Sequence, residues 1–291
     1  RSKPLARGRF DMRTLSFVSP DAADLLAPLS ARLDGRVVTI RRDDDGTAAR
    51  TEPRATDTAE ERDAVADAEP SAGAAYRLGD DGGWTGAGAG ETFPDLLDRL
   101  APDFDYALVA GFSKLRLPTV VVGDDAVPGD VVERVDDPAE LDLDDLVDGI
   151  ENAEPHVTLE TLINETKASE DADRAGAIAT FTGRVRAKDS PDDDRTEALE
   201  FEKYEGVAAD RMARIERELT DREGVFDVRM HHRVGVVADG EDIVFVVVLA
   251  GHRTEAFRTV EDGINRLKDE VPIFKKETTE SDEFWVHERS Q

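Results

Sequence analysis

The run DIVFVVVLA at 242–250 constrains the fold more than any other stretch of the chain. It is too β-branched for a comfortable helix and too short to cross a bilayer, so it predicts a buried strand. Gly251, His252 and Arg253 lead from it into a helical pattern with Ala256, Phe257, Val260, Ile264 and Leu267 on one face. Pro272 stops that helix, and extended Ile273 and Phe274 deliver Lys275 and Lys276. His252, Arg253, Lys268, Lys275 and Lys276 therefore cluster around the start and the end of one helix. The 291 residues include 66 Asp and Glu against 37 Lys and Arg, a net charge of −29. Against that background, converging cations predict a pocket for an anionic substrate.

The same charge excludes several functions. So acidic a surface repels nucleic acid and anionic membranes, and neither is expected as a partner. Screening by concentrated salt relieves the self-repulsion, which points to a halophilic origin. Cysteine is absent, so disulfides, thiolate catalysis, Fe–S clusters and Cys-ligated zinc are excluded. His231, His232, His252 and His287 lack zinc-ligand spacing. No metal or bound cofactor is expected. With no long apolar run and no visible signal peptide, the expected location is the cytoplasm. The basic residues 1–11 are set aside from fold reasoning.

The length suits two domains, divided at 12–155 and 157–291. The first opens β-α-β, with a strand at 14–18, a helix burying Leu25, Leu26, Leu29 and Leu33, and a strand at 36–40. Residues 43–71 are polar and irregular, with one helical candidate at 58–67. A short strand at 72–78 and a Gly-rich turn at 80–90 follow. A helix at 93–100 and strands at 104–112, 119–122 and 131–135 lead to an acidic helix at 141–150. The expected architecture is a small, open, mostly parallel α/β sheet. Its first turn, Ser19 to Leu26, has no Gly-Lys-Ser/Thr and places Asp21 and Asp24 where phosphates would sit, so nucleotide turnover is not expected.

The first strand and helix, the Ala72-Gly73-Ala74 triplet and AGFSKLRLPTVVV at 110–122 resemble the MobB-type proteins of molybdopterin guanine dinucleotide biosynthesis. Ala110 replaces that family's acidic residue, Ser113 stands between Phe112 and Lys114, and the phosphate loop is missing. The resemblance implies a degenerate relative kept for packing, partner contact or stability.

The second domain predicts a short helix with Leu159, Leu162 and Ile163 inward, then strands at 175–186 and 198–204. A helix at 207–219 buries Ala208, Met212, Ile215 and Leu219, and a strand at 226–237 carries MHHRVG. With the 242–278 stretch this makes an α+β domain of at least four strands. Adjacent His231 and His232 alternate faces, so one at most is expected inward. At the helix start, backbone N–H groups and the Arg253 guanidinium suit an anion; the plainer alternative is a surface pair with Glu255 or Glu261. Lys268 serves either as dipole compensation or, with Lys275, in proton transfer or carboxylate binding. Arg186 follows a strand and is either part of that pocket or a solvent residue.

GAIATFTGRVR, HHRVG, GHR at 251–253 and LKDEVPIFKKE at 267–277, followed by FWVHER, resemble in order and spacing the catalytic large subunit of molybdopterin synthase, the MoaE family. The resemblance covers about 130 residues of the sequence. It implies a sulfurtransferase that receives the C-terminal Gly-Gly thiocarboxylate of a small ubiquitin-like partner. Two sulfur transfers then convert cyclic pyranopterin monophosphate (precursor Z) to the molybdopterin dithiolene, and the large subunit forms a homodimer. It further implies Lys275 and Lys268 as catalytic residues, with Arg186, His252, Arg253 and Arg289 holding substrate, Arg289 in the neighbouring protomer's site. Phe274 stands where the family has Trp, and Lys203 and Glu205 also depart from it. An alternative implication is a noncatalytic scaffold, or an acceptor for ubiquitin-like modification.

Overall fold

The computed structural model describes residues 12–19, 21–42, 74–78, 84–188, 190–204, 206–279 and 283–286, with backbone alone for 74–78, 84–87 and 283–286. These fall into two compact units, within Asp11–His156 and Val157–Gln291. The 43–71 excursion, with its candidate helix, lies outside the described residues.

The first unit contains β1 (Arg13–Val18), α1 (Ala22–Ser30), β2 (Val37–Arg41), β3 (Ala74–Leu78), β4 (Trp84–Gly88), α2 (Phe93–Leu100), β5 (Tyr106–Ala110), β6 (Thr119–Val122), β7 (Val131–Val135) and α3 (Leu143–Asn152). Five strands make a parallel sheet in the order β2-β5-β1-β6-β7. Successive side chains point to opposite faces, and both faces are covered. Leu15 and Phe17 pack with Leu26, Leu29, Leu146 and Ile150 on one side. Ala107 and Val109 pack with Leu97 and Leu100 on the other. β3 and β4 form an antiparallel hairpin where a turn alone was expected at 80–90. Glycine weakens a strand without forbidding it when a neighbouring ladder supplies the hydrogen bonds.

The second unit contains α4 (Leu159–Lys167), β8 (Ala177–Arg184), β9 (Thr196–Lys203), α5 (Val207–Thr220), β10 (Val225–His232), β11 (Gly235–Ala238), β12 (Asp242–Ala250), α6 (Arg253–Glu270), β13 (Ile273–Thr279) and β14 (Glu283–Val286). One antiparallel sheet runs β10-β12-β8 and a second runs β11-β9-β13-β14. The strand expected across 226–237 is thus two strands in different sheets. The chain turns between them, with Gly235 at φ 78, a conformation that glycine adopts without penalty.

β12 is the buried axis of this unit. Val244, Val246, Val248 and Ala250 meet Ile215 and Leu219 of α5 and Ala256, Val260, Ile264 and Leu267 of α6. On its other face, Phe245 and Val247 meet Leu162, with Leu159 and Ile163 beside them. α6 buries Thr259 and Gly263 in addition, whereas Phe257 is 65% exposed. At about 100° per residue, Phe257 lies off the stripe that 256, 260, 264 and 267 define, so its expected inward position is corrected.

Candidate active site

α6 returns antiparallel along β12. It begins just past Ala250, and a Cβ on Gly263 would lie 3.0 Å from Val246 in mid-strand. Its two ends are therefore two separate places. His252 is the N-cap residue, with no side-chain capping bond, and Arg253 opens the first turn; both are exposed. Neither forms an ion pair among the described residues, so the alternative pairing of Arg253 with Glu255 or Glu261 is not made. Lys268 lies exposed in the last turn, about 22 Å along the helix axis from Arg253.

Strand register sorts the other cations. Lys275 stands directly opposite Phe201 on β9, and Lys276 opposite Glu200. Directly paired residues share a sheet face, and neighbours along a strand do not. Lys275 thus belongs to the packed face, where Phe201 and Leu199 are buried with Val185 and Val237, and partly buried Ile243 and Ile273 pack against them. Lys276 belongs to the outward face, 3.9 Å from the Glu200 carboxylate. Phe274 is on that outward face too, its ring set edge-on to Tyr204 at 5.6 Å.

Arg186 follows buried Val185, beyond the end of β8. Since Asp242 pairs with Arg184 and Ala250 with Ala177, Arg186 belongs to the starting end of β12. Val185 shares a cluster with Ile273, which brings the Arg186 segment to the start of β13. Arg186, Lys268 and Lys275 are therefore grouped at one end of the unit. His252 and Arg253 are at the other, about 27 Å away along β12. Arg289 and His287 lie outside the described residues.

The surroundings of Lys275 include a residue that sequence reasoning had left open. His232 meets the edge of the Phe201 ring at 4.9 Å, and its Nδ1 lies 2.7 Å from the Arg233 carbonyl. Burial lowers its pKa below the ordinary value, the backbone bond opposes that shift, and nearby Lys203 reinforces it. A neutral imidazole with Nδ1–H donating leaves Nε2 as an acceptor. His231 stacks instead on Phe245, ring centroids 6.5 Å apart. Both histidines face packing because both faces of this strand are covered; only the register could have revealed it.

Elsewhere on α6, Arg266 donates to Glu270 at 2.6 Å and Arg222 to Asp262 at 2.6 Å. These arginines are tied into structural pairs. Among the described residues no group of three or more His, Cys, Asp or Glu is placed to hold a metal ion. No helix among them is long and apolar enough to cross a membrane.

Residues 155–270 match the family model described as MoaE protein. A Haloferax volcanii relative described as a probable molybdopterin synthase is 53% identical over 279 residues, covering 96% of this chain and 100% of the relative. The chain belongs to the MoaE family. Two further members are molybdopterin synthase catalytic subunits. That of Pyrococcus abyssi is 36% identical, covering 43% of this chain and 82% of its own. That of Bacillus subtilis is also 36% identical, covering 45% of this chain and 79% of its own. Arg186, His252, Arg253 and Lys268 fall inside the MoaE match, and Lys275 lies five residues past its end.

Proposed function

We propose that this MoaE-family chain is the catalytic subunit of a molybdopterin synthase. It transfers sulfur from the C-terminal thiocarboxylate of a small ubiquitin-like partner to cyclic pyranopterin monophosphate, giving the dithiolene. The observation that carries the reading is the sorting of the β13 lysines, with Lys275 on the packed face opposite Phe201 and Lys276 turned outward to Glu200. An amine beside apolar and aromatic walls suits proton movement as the acyl–sulfur bond breaks. The sulfur arrives on the partner's terminal carbonyl, so the absence of cysteine from this chain is no obstacle. Lys275 participates directly, Lys268 carries protons and orients charge, and Arg186 sets the local field. His252, Arg253 and Arg289 hold the phosphate and the pterin.

The separation of the two cationic groups gives the homodimer its role. A site using both the Arg186–Lys275 end and the His252–Arg253 end takes one from each of two copies. The first unit is, in this reading, a MobB-like fold without its phosphate loop. Asp21 is the N-cap residue of α1, without a side-chain capping bond, and Asp24 lies in its first turn, so their negative charge disfavours an anion there. Calorimetry with GTP and magnesium should show no binding; micromolar affinity would refute that part. For the activity itself, purified thiocarboxylated partner and precursor Z at high salt should yield dithiolene. A folded protein that makes none overturns the proposal, and Lys268→Ala and Lys275→Ala with full activity would favour an acceptor or scaffold.

A further inference from the structure

Phe201 lies among three basic residues of the second unit. It stands opposite Lys275 on β13, and its ring meets His232 edge-on at 4.9 Å. Two residues further along β9 comes Lys203, on the same sheet face by the two-residue period. Lys203 pairs directly with Ile273, which makes Lys275 its diagonal neighbour, about 7–8 Å away between Cα atoms. The β11 ladder ends with Gly235 opposite Phe201, so Lys203 lies past it, where the chain comes in from His232. The charge of Lys203 reaches the His232 ring and opposes its protonation, as this placement requires. Lys203 is half-buried, like Lys275, and stands at a position where the chain departs from the MoaE pattern. The proposed mechanism gives it no role.

We propose that Lys203 is a further binding residue of the Lys275 site, the two ammonium groups together holding the C-terminal thiocarboxylate or carboxylate of the small partner. This rests on the synthase reading, which brings that terminus to Lys275. Two lysines on a diagonal, with Phe201 and Ile273 at the other corners, suit an anion with two acceptor atoms. Such an anion also relieves the repulsion between the two like charges. Glu277, two residues past Lys275 on the same face, is engaged by the Thr196 hydroxyl. The substrate phosphate belongs, in the same reading, with His252 and Arg253, whereas the partner's terminus is the anion that the Lys275 end receives.

Binding can be measured without turnover. The probes are the small ubiquitin-like partner ending in its Gly-Gly carboxylate and the same protein lacking those two residues, each titrated into the full-length chain at high salt. Lys203→Gln should weaken binding of the intact probe by about ten-fold, the loss expected of one charge-assisted bond, and leave the truncated probe unchanged. Lys203→Arg should restore most of the affinity. Lys276→Gln, which removes the same charge from the outward face, should have no effect. In the protein without partner, the NMR titration of the His232 ring should move to higher pH in Lys203→Gln, which locates the ammonium independently of any ligand. Unchanged affinity for the intact probe, an equal loss for both probes, or an unmoved His232 titration overturns the proposal. A raised KM for precursor Z with partner binding intact assigns the cation to the phosphate and overturns it too. Dithiolene formation without any Lys203 effect leaves the synthase reading standing and removes this contact. A ten-fold loss confined to the intact probe, in a folded protein that makes no dithiolene, upholds the contact and removes the synthase reading. An intact probe that does not bind the parent overturns both.

Discussion

At the residue scale, Glu216 shows how an edge strand can be sealed and what that costs. β10 is an edge of its sheet, and the Met230 N–H donates to Glu216 Oε1 of α5 at 2.7 Å. Burial pushes this carboxyl from 4.5 up to about 7, while the Met230 bond and Arg229 oppose the rise and Asp227 and Glu165 add to it. The fold therefore favours the protonated form. Its contribution to stability is fully present below about pH 4.5 and is lost as pH rises through 7, a swing of about 3 kcal/mol. Glu216→Gln keeps the acceptor and removes the titration. Urea unfolding at fixed salt should show the parent losing stability from pH 5 to 8 relative to this variant; parallel curves would reject the assignment. His232 runs the other way, since burial lowers its pKa and favours the neutral ring, so its contribution is lost as pH falls below 6.5. The inward spacing of Ala208, Met212, Ile215 and Leu219 was legible in the sequence. The role of Glu216 was not, because it depends on which strand forms the sheet edge.

At the scale of elements, the order from β12 through α6 to β13 was legible because β-branching, a 3.6-residue stripe and Pro272 are all local signals. The split of β10 from β11 was not. The last rung of the first ladder is the Arg233 N–H donating to the Ile243 carbonyl at 2.8 Å, after which Gly235 pairs with Phe201 in the other sheet. Those partners are distant in sequence, and no window around HHRVG contains them. The two-residue period of β13 yields a sharp prediction: Lys275→Ala should lower dithiolene formation by about 10²–10⁴-fold, as for loss of a proton-transfer group. Lys276→Ala, on the outward face, should stay within about 3-fold, because a partly exposed pair 3.9 Å apart contributes little. Equal losses would refute the facial assignment. A second prediction concerns the loop that delivers His252. A Cβ on Gly176 would lie 2.7 Å from the Gly251 carbonyl oxygen, a backbone atom with little freedom to move. Gly176→Ala should destabilise by about 1–3 kcal/mol in urea unfolding, and no measurable change would show that these backbones are not held together.

At the scale of the whole molecule, the residue types of the candidate site could be read in advance, whereas their distribution in space could not. The sequence placed five cations around one helix; the fold puts His252 and Arg253 at one end and Lys268 and Lys275 at the other, because an 18-residue helix spans the full depth of the unit. Net charge is the global property that governs everything else. With 29 excess negative charges on 291 residues, self-repulsion opposes the compact state and also opposes bringing two copies together. The Debye length is about 10 Å at 0.1 M salt and about 3 Å at 1 M, so molar salt confines that repulsion to near neighbours. The structural ion pairs are shorter than this, Arg222 with Asp262 at 2.6 Å for one, and lose less to screening than the diffuse repulsion does. Net stability should therefore rise with salt. Between about 0.2 M and 2 M KCl the melting temperature should increase by about 10 °C, roughly 3 kcal/mol for a molecule of this size. Sucrose, which leaves electrostatics unscreened, should not reproduce the salt dependence, and a melting temperature that is flat or falls with KCl would mean that the acidic surface is not what limits the fold.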